Sequence, residues 1–296
     1  MLNKLKWIIA KSFIGKYLSD KTFLQIKYER IMREKLNLNS PIGFNEKIQW
    51  LKLHYRSPLL TTLVDKFEVK NYVAEKIGAE YVIPNYGIWE SFDDIDFKRL
   101  PSQFVLKTTH DCGGVILCTD KNGLDLKKTK SKLEKHLKNN HYYKNREWAY
   151  KDVEPRIIAE RYFTNKRSDN EIEELVDYKI FCFDGEPKII QISTGRFNSG
   201  LKHNFYDINF QKLDIVKYKG GTEEDISKPE NFELMLLLAK KLSSNLPFVR
   251  ADFYNIEGRV FFGELTFYPG GGFSPFKPKE WEERVGNWIK LKAYEN

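Results

Sequence analysis

Two runs near the C-terminus bring together side chains that suit phosphate chemistry: Phe248-Val-Arg250-Ala-Asp252-Phe-Tyr254 and Arg259-Val-Phe-Phe-Gly-Glu264-Leu-Thr266-Phe-Tyr-Pro269-Gly-Gly-Gly272. Each alternates as a strand does, and a three-residue connection, Ile256-Glu257-Gly258, can join them as a hairpin. That register pairs residue 255 with 259, 252 with 262 and 250 with 264. Arg250, Asp252, Glu264 and Thr266 then share one face with Phe248, Tyr254 and Phe262, while Val249, Ala251 and Phe253 lie on the other. Asp252 and Glu264 become diagonal neighbours, roughly 7–8 Å apart at the backbone, so both carboxylates can reach one cation. Two carboxylates beside an arginine, followed by a glycine turn, suit magnesium-dependent phosphate chemistry. The same residue types also make plain ion-pair networks on solvated sheet faces, so the assignment needs support from elsewhere in the chain.

That support lies upstream in Gln103-Phe-Val-Leu-Lys107-Thr-Thr-His110-Asp-Cys-Gly113-Gly114-Val-Ile-Leu-Cys118. An apolar strand ends in a lysine, a polar turn with two glycines follows, and a second apolar strand leaves it. Glycines let a backbone approach phosphate oxygens, and successive N–H groups can cradle them. Lys107 supplies a point charge for the same phosphates. An ordinary hairpin with an edge lysine has the same pattern. The chain lacks G-x-x-x-x-G-K-[ST], G-x-G-x-x-G after a strand, and the kinase catalytic loop. A nucleotide must therefore sit between sheets on scattered residues. A rival chemistry starts from Asp94-Ile-Asp96, an Asp-x-Asp of the kind that holds the metal of a sugar nucleotide in a glycosyltransferase. It stands in Ser91-Phe-Asp-Asp-Ile-Asp-Phe97 with no strong strand ahead of it, and reads better as a capping cluster.

With both segments in view the chain resembles the ATP-grasp proteins, specifically the TupA-like group of bacterial surface-polysaccharide and teichuronopeptide biosynthesis. The resemblance runs from about residue 40 to the C-terminus. It rests on Asp65-Lys66-Phe-Glu-Val-Lys70, Ile83-Pro-Asn-Tyr-Gly87, Phe104-Val-Leu-Lys107, Arg156-Ile-Ile-Ala-Glu160-Arg-Tyr162, Asp177-Tyr-Lys179-Ile-Phe-Cys-Phe-Asp-Gly185, Asn204-Phe-Tyr-Asp207 and the C-terminal runs. It implies an α+β ATP-grasp fold, two α+β subdomains gripping ATP, with a helical N-terminal region. Lys66 and Lys107 resemble the two lysines that reach the phosphates. Thr108, Thr109, His110, Gly113 and Gly114 resemble the loop that closes over them. Glu160 and Tyr162 resemble the hinge that meets adenine and ribose, with Asp177 and Lys179 at the nucleotide. Arg250 resembles the catalytic arginine; Asp252 and Glu264 resemble the magnesium ligands, with Thr266 where many relatives carry Asn. Tyr268, Gly270 and Gly271 belong to a turn resembling the one that holds the acceptor, and Arg196 and Lys202 are further candidate contacts for an anionic sugar. The implied cofactors are ATP and Mg2+. The implied reaction is carboxylate activation through an acyl phosphate, followed by amide formation with an amine, the acceptor being a hexuronic acid of a surface glycan. His110 and His203 are candidates for proton handling. A kinase-like variant would stop at phosphorylation.

The elements that must position these residues divide the chain into a helical region (1–60), a connecting segment (61–102), a lid carrying the glycine loop (103–163) and a larger unit with the catalytic hairpin (164–296). The first region breaks at Ser40-Pro41-Ile-Gly43. Helices are expected at 67–77, 127–139 and 230–244. Strands are expected at 81–84, 156–163, 175–183 and 187–194, and a polar insertion at 164–174. At the start, Leu5, Ile8, Ile9 and Phe13 follow helical spacing beside Trp7, among Lys4, Lys6, Lys11 and Lys16. This amphipathic run is too short and too charged to span a bilayer; it packs on the domain or lies on the inner leaflet of a membrane.

The 296 residues suffice for a large core, and 15% aromatic content argues against disorder. A net charge of +8 fits a nucleotide and an anionic sugar; the lysines and arginines are scattered, which argues against nucleic acid. Cys112, Cys118 and Cys182 show no zinc spacing and no paired set, which points to a reducing cytoplasm. Cys112 falls in the phosphate loop, where backbone N–H groups could lower its pKa, but it reads better as a small space-filling residue.

Overall fold

The computed structural model describes residues 7–8, 12–166, 172–173, 175–194, 202–217 and 226–291. Four helices come first: α1 (Asp20–Met32), α2 (Phe44–His54), α3 (Pro58–Val64) and α4 (Val69–Ile77). Ser19 caps α1 by accepting the Thr22 N–H at 3.2 Å. Glu46 in the first turn of α2 reaches back to the N–H groups of Ile42 and Gly43, at 3.0 and 3.2 Å, which fixes the break at Ser40–Gly43. Trp7 packs on the cluster of Phe23, Leu24 and Tyr28 in α1, while Ile8 is exposed. The amphipathic run's remaining N-terminal residues, 1–6 and 9–11, lie outside the described residues.

Four antiparallel strands follow: β1 (Asn85–Trp89), β2 (Phe104–Thr108), β3 (Val115–Cys118) and β4 (Ile157–Arg161), in the order β1-β4-β2-β3. The segment expected as a strand at 81–84 instead ends a short 3-10 turn (Ala79–Tyr81). Pro84, lacking an N–H, cannot take part in a ladder as a donor, so the edge strand starts after it. Between β3 and β4 lie α5 (Leu126–Leu137) and α6 (Tyr142–Asn145). Fully buried Leu133 seats α5 on Phe104, Leu106, Ile157 and Ala159.

A two-stranded ribbon, β5 (Asn165–Lys166) and β6 (Ile172–Glu173), precedes the second sheet. That sheet holds β7 (Asp177–Phe183), β8 (Glu186–Thr194), β9 (Lys202–Tyr206), β10 (Lys212–Leu213), β11 (Phe248–Ile256) and β12 (Arg259–Thr266), in the order β10-β9-β8-β7-β11-β12. Helix α7 (Phe232–Ser243) covers β7, β8 and β11 with Met235, Leu238 and Leu242. Phe44 at the start of α2 meets the rings of Phe248 at 5.0 Å, Phe276 at 5.2 Å and Phe183 at 6.3 Å, tying the helical region to the large sheet. Helix α8 (Lys279–Asn287) closes on α2 through buried Glu282, which accepts the N–H groups of Asn45 at 2.6 Å and Phe276 at 3.0 Å.

The C-terminal hairpin of β11 and β12 departs from the expected register in two compensating ways. Its turn has two residues, Glu257 and Gly258, both left-handed at φ 49 and 73, so Ile256 pairs with Arg259 and Asn255 with Val260. Continued unchanged, this slip would turn Glu264 and Thr266 to the face opposite Asp252. A bulge at Gly263 corrects it: Phe253 pairs with Phe262, but Asp252 pairs with Glu264 and Arg250 with Thr266. The two carboxylates are therefore directly opposite rather than diagonal. Phe262 moves to the Phe253 face, with ring centroids 6.3 Å apart.

Candidate active site

β11 and β12 converge their polar face on one guanidinium. Arg250 donates through Nε to Asp252 Oδ1 and through Nη2 to Asp252 Oδ2, both at 2.6 Å, and Nη2 also reaches Glu264 at 3.1 Å and Thr266 at 2.9 Å. Thr266 Oγ1 donates to Glu264 at 3.0 Å. From β7, Lys179 Nζ stands 2.8 Å from Asp252 Oδ2 and 3.3 Å from Asp177, so Asp177 and Lys179 extend the network. Burial pushes Asp252 up against the pull of Arg250 and Lys179. Glu264, whose side chain is 44% exposed, is held below the usual carboxylate range: partial burial raises it, and Arg250, Lys179 and Lys66 more than offset that. Glu264 and Thr266 thus present oxygens to the cleft, while both Asp252 oxygens are taken by cations. Among the described residues no three His, Cys, Asp or Glu side chains converge as a ready-made metal cluster.

The glycine loop between β2 and β3 turns its donors inward. Asp111 Oδ1 accepts the N–H groups of Gly113 at 3.3 Å and Gly114 at 3.2 Å and the Thr108 hydroxyl at 2.5 Å; Oδ2 meets His136. Burial raises Asp111, but these donors and Lys66 bring it down to about 2. Gly114 cannot be larger, because a Cβ there would lie 2.0 Å from Thr108 Oγ1. Lys66, just after α3, spans the loop from below: its Nζ donates to the carbonyl of Thr108 at 3.1 Å and to that of Asp111. Burial lowers its pKa, with Glu264 and Asp111 resisting. The other expected lysine, Lys107, pairs with Glu160 at 2.5 Å, and Glu160 also holds Lys70 at 2.8 Å. Burial raises Glu160, and these two cations bring it to about 2. Tyr162 is half-buried beyond the end of β4.

Several of the expected side chains are engaged elsewhere. His110 is 2% exposed and faces the end of α5, with Nε2 at 3.1 Å from the His136 carbonyl and 3.0 Å from that of Asn139; it does not enter the cleft. Thr109 is wholly buried, donating to the Glu154 carbonyl at 3.1 Å. Desolvation and the Glu147 carboxylate push the Cys112 thiol up, opposite to the lowering that loop N–H groups would give. Lys202 is exposed at the start of β9 opposite Thr194, away from the cleft, and Arg196 lies outside the described residues. His203 is buried, its Nδ1 engaged with Ser193 at 2.9 Å and Gln191 at 3.0 Å. Asp94 accepts from Ser91 Oγ at 2.7 Å, and Asp96 accepts the Lys98 N–H at 3.1 Å; both are turn caps.

A cavity of about 390 Å³ joins Lys66 and the glycine loop to Arg250, Glu264 and Thr266. Tyr268, Gly270 and Gly271 contribute another wall, as expected of the acceptor turn. Gly270, Gly271 and Gly272 are all left-handed, at φ 61, 64 and 66, which the glycines make possible. Two α2 residues that sequence reasoning missed hold this turn. Lys52 donates to the Gly271 carbonyl at 2.7 Å and Gln49 to that of Gly272 at 2.5 Å. Burial brings Lys52 to about 7. A further part of the wall comes from His141, Asn145, Glu147 and Tyr150, around and after α6, where no motif or periodicity singles them out.

Two sheets of four and six strands with a lysine- and carboxylate-lined cleft between them define an ATP-grasp protein. The chain belongs to the TupA-like ATP-grasp family, whose model matches residues 46–290. Solved structures give fainter likenesses. D-alanine–D-alanine ligase from Bacillus anthracis complexed with ATP shares 16% identity over 71% of this chain and 55% of its own, with a TM-score of 0.40. The Helicobacter pylori enzyme of the same name gives 14%, 77%, 61% and 0.41 in the same order. The ATP-grasp ligase PsnB, complexed with minimal precursor, Mg and ADP, gives 10%, 88%, 66% and 0.38. The chain thus spans little over half the length of the first of these. No curated protein matches it. No helix among the described residues is long and apolar enough to cross a membrane.

Proposed function

We propose that the protein is an ATP-dependent carboxylate–amine ligase working through an acyl phosphate. Its carboxylate substrate is a hexuronic acid or similar group of a bacterial surface polysaccharide, and its amine an amino acid or amino alcohol. The observation that carries this reading is the shared cavity: Lys66, Arg250, Glu264 and Thr266 face the same space as the Tyr268–Gly271 turn. A phosphoryl group and an acceptor can therefore meet there. Membership of the TupA-like family supports the glycan substrate class.

Phosphoryl transfer needs positioning and charge compensation rather than a nucleophile–base triad. Lys66 and Lys107 neutralise the nucleotide phosphates, Glu160 and Tyr162 border the nucleoside, and Arg250 spreads the charge that develops on the transferred group. Magnesium, when bound, would supply charge neutralisation to the phosphates. Glu264 and Thr266 would hold it as oxygen donors; Asp252, the other expected ligand, has both oxygens engaged by Arg250 and Lys179. Once the acceptor carboxylate holds the phosphoryl group, Arg250 is placed to stabilise the oxyanion formed as the amine attacks. That Asp94 and Asp96 cap turns supports the ligase reading over the glycosyltransferase alternative.

The test is ADP release with uronic acids and amines supplied separately and together. The ligase reading requires both for turnover. Release with the sugar alone, accompanied by a stable phosphorylated product, would make the protein a kinase instead.

A further inference from the structure

The wall of the cavity formed by His141, α6 and the residues after it carries a buried acid and a histidine. Glu147 is 6% exposed and lines the cavity. Asn145 Nδ2 donates to its Oε1 at 2.7 Å, and His141 Nε2 stands 3.7 Å from Oε2. Among the described residues no lysine or arginine forms an ion pair with it, whereas buried Asp252, held by Arg250 behind the cleft, has two cationic partners. Glu147 feels the charge of buried Lys52 but touches no lysine or arginine, and an ammonium entering the cavity would supply the direct partner. The fields of Glu147 and Glu264 both raise Tyr150, which places the two acids around one space.

We propose that Glu147 and His141 seat the amine substrate: Glu147 receives its ammonium, and His141 Nε2 takes the proton that must leave before nitrogen can attack. This rests on the ligase reading. An ammonium has no lone pair. His141 accepts one proton from R–NH3+, and the freed lone pair forms the C–N bond at the acyl carbon. The C–O bond to phosphate breaks with its electron pair, and the phosphate oxygen can take the second nitrogen proton. The ring of His141 is held edge-on to Tyr150, with centroids 4.8 Å apart, and Nε2 lies 3.6 Å from Cys112 Sγ. The groups facing it are Glu147 and Asp111, which raise its pKa, and Lys144 and Lys66, which lower it. Burial outweighs them and lowers it, so the ring is neutral near pH 7 and able to accept a proton.

The experiment compares two nucleophiles with ATP and D-glucuronic acid: ethanolamine, which is cationic at neutral pH, and hydroxylamine, which is neutral and traps acyl phosphates as hydroxamates. The readout is the ratio of kcat/KM for the two. In Glu147→Gln the ratio should fall by about 10- to 100-fold, chiefly through KM for ethanolamine. In His141→Gln it should fall by about 100-fold through kcat and recover as pH rises and free amine accumulates. A ratio unchanged from wild type in both variants, whatever happens to the absolute rates, overturns the proposal and leaves these residues a structural role. If the wild type makes neither amide nor hydroxamate, the ligase reading itself falls and the amine seat with it.

Discussion

Arg250 is the residue on which the site depends most, because one guanidinium organises Asp252, Glu264 and Thr266. Its fork geometry, and not its charge alone, makes the double contact to Asp252. Arg250→Lys should therefore lower turnover by about 100-fold while keeping the net charge. Arg250→Ala should also cost about 3 kcal/mol of stability, since it strips a buried carboxylate of a partner; thermal melting reads this directly. Glu160 gives a pH prediction. Its folded pKa of about 2 lies below the ordinary 4.5, so its stabilisation is complete above pH 4.5 and drains away as pH falls toward 2. That is worth about 3 kcal/mol, reduced by the burial that pulls Lys70 below its ordinary value. Glu160→Gln should flatten the acid limb of a melting-temperature profile between these pH values. The lysines, Arg250 and the carboxylates were legible because their types stand out at strand ends and in alternating runs. Lys52, His141 and Glu147 were not, because each acts from a helix or an irregular stretch whose residues converge only in three dimensions.

At the scale of elements, the hairpin was legible as two alternating strands, and its shared polar face was foreseen correctly. Its register was not, because a two-residue turn and a bulge cancel each other over the residues that matter, and spacing alone does not reveal either. The glycine loop was likewise legible as a turn between strands, but not its inward grip on Asp111, which depends on Thr108 and on His136 from α5. Gly114→Ala should disrupt that grip, since its Cβ collides with Thr108 Oγ1. We expect a loss of about 1–3 kcal/mol and weaker ATP binding, checked by melting and calorimetry. The junction of α2 and α8 makes a separate prediction. Glu282→Ala would leave the buried N–H groups of Asn45 and Phe276 without their acceptor, at a cost of about 2–4 kcal/mol in urea unfolding.

Across the whole molecule, the small sheet brings Lys107 and the glycine loop, α2 and the junction between α3 and α4 bring Lys52 and Lys66, and the large sheet brings the arginine–carboxylate face. A ligand that touches all three should stabilise them together. ATP at 100 times its Kd should add about 2.7 kcal/mol to the stability of the wild type, and this gain should vanish in Lys107→Ala along with calorimetric ATP binding. A UDP-sugar should give no such gain. The central claim is that a carboxylate is activated by phosphoryl transfer before an amine displaces the phosphate. Supplying the uronic acid with both carboxylate oxygens as oxygen-18 and analysing the released inorganic phosphate by mass spectrometry tests it most directly. The account predicts one labelled oxygen in each phosphate released, in step with amide formation. Unlabelled phosphate accompanying amide formation would contradict it.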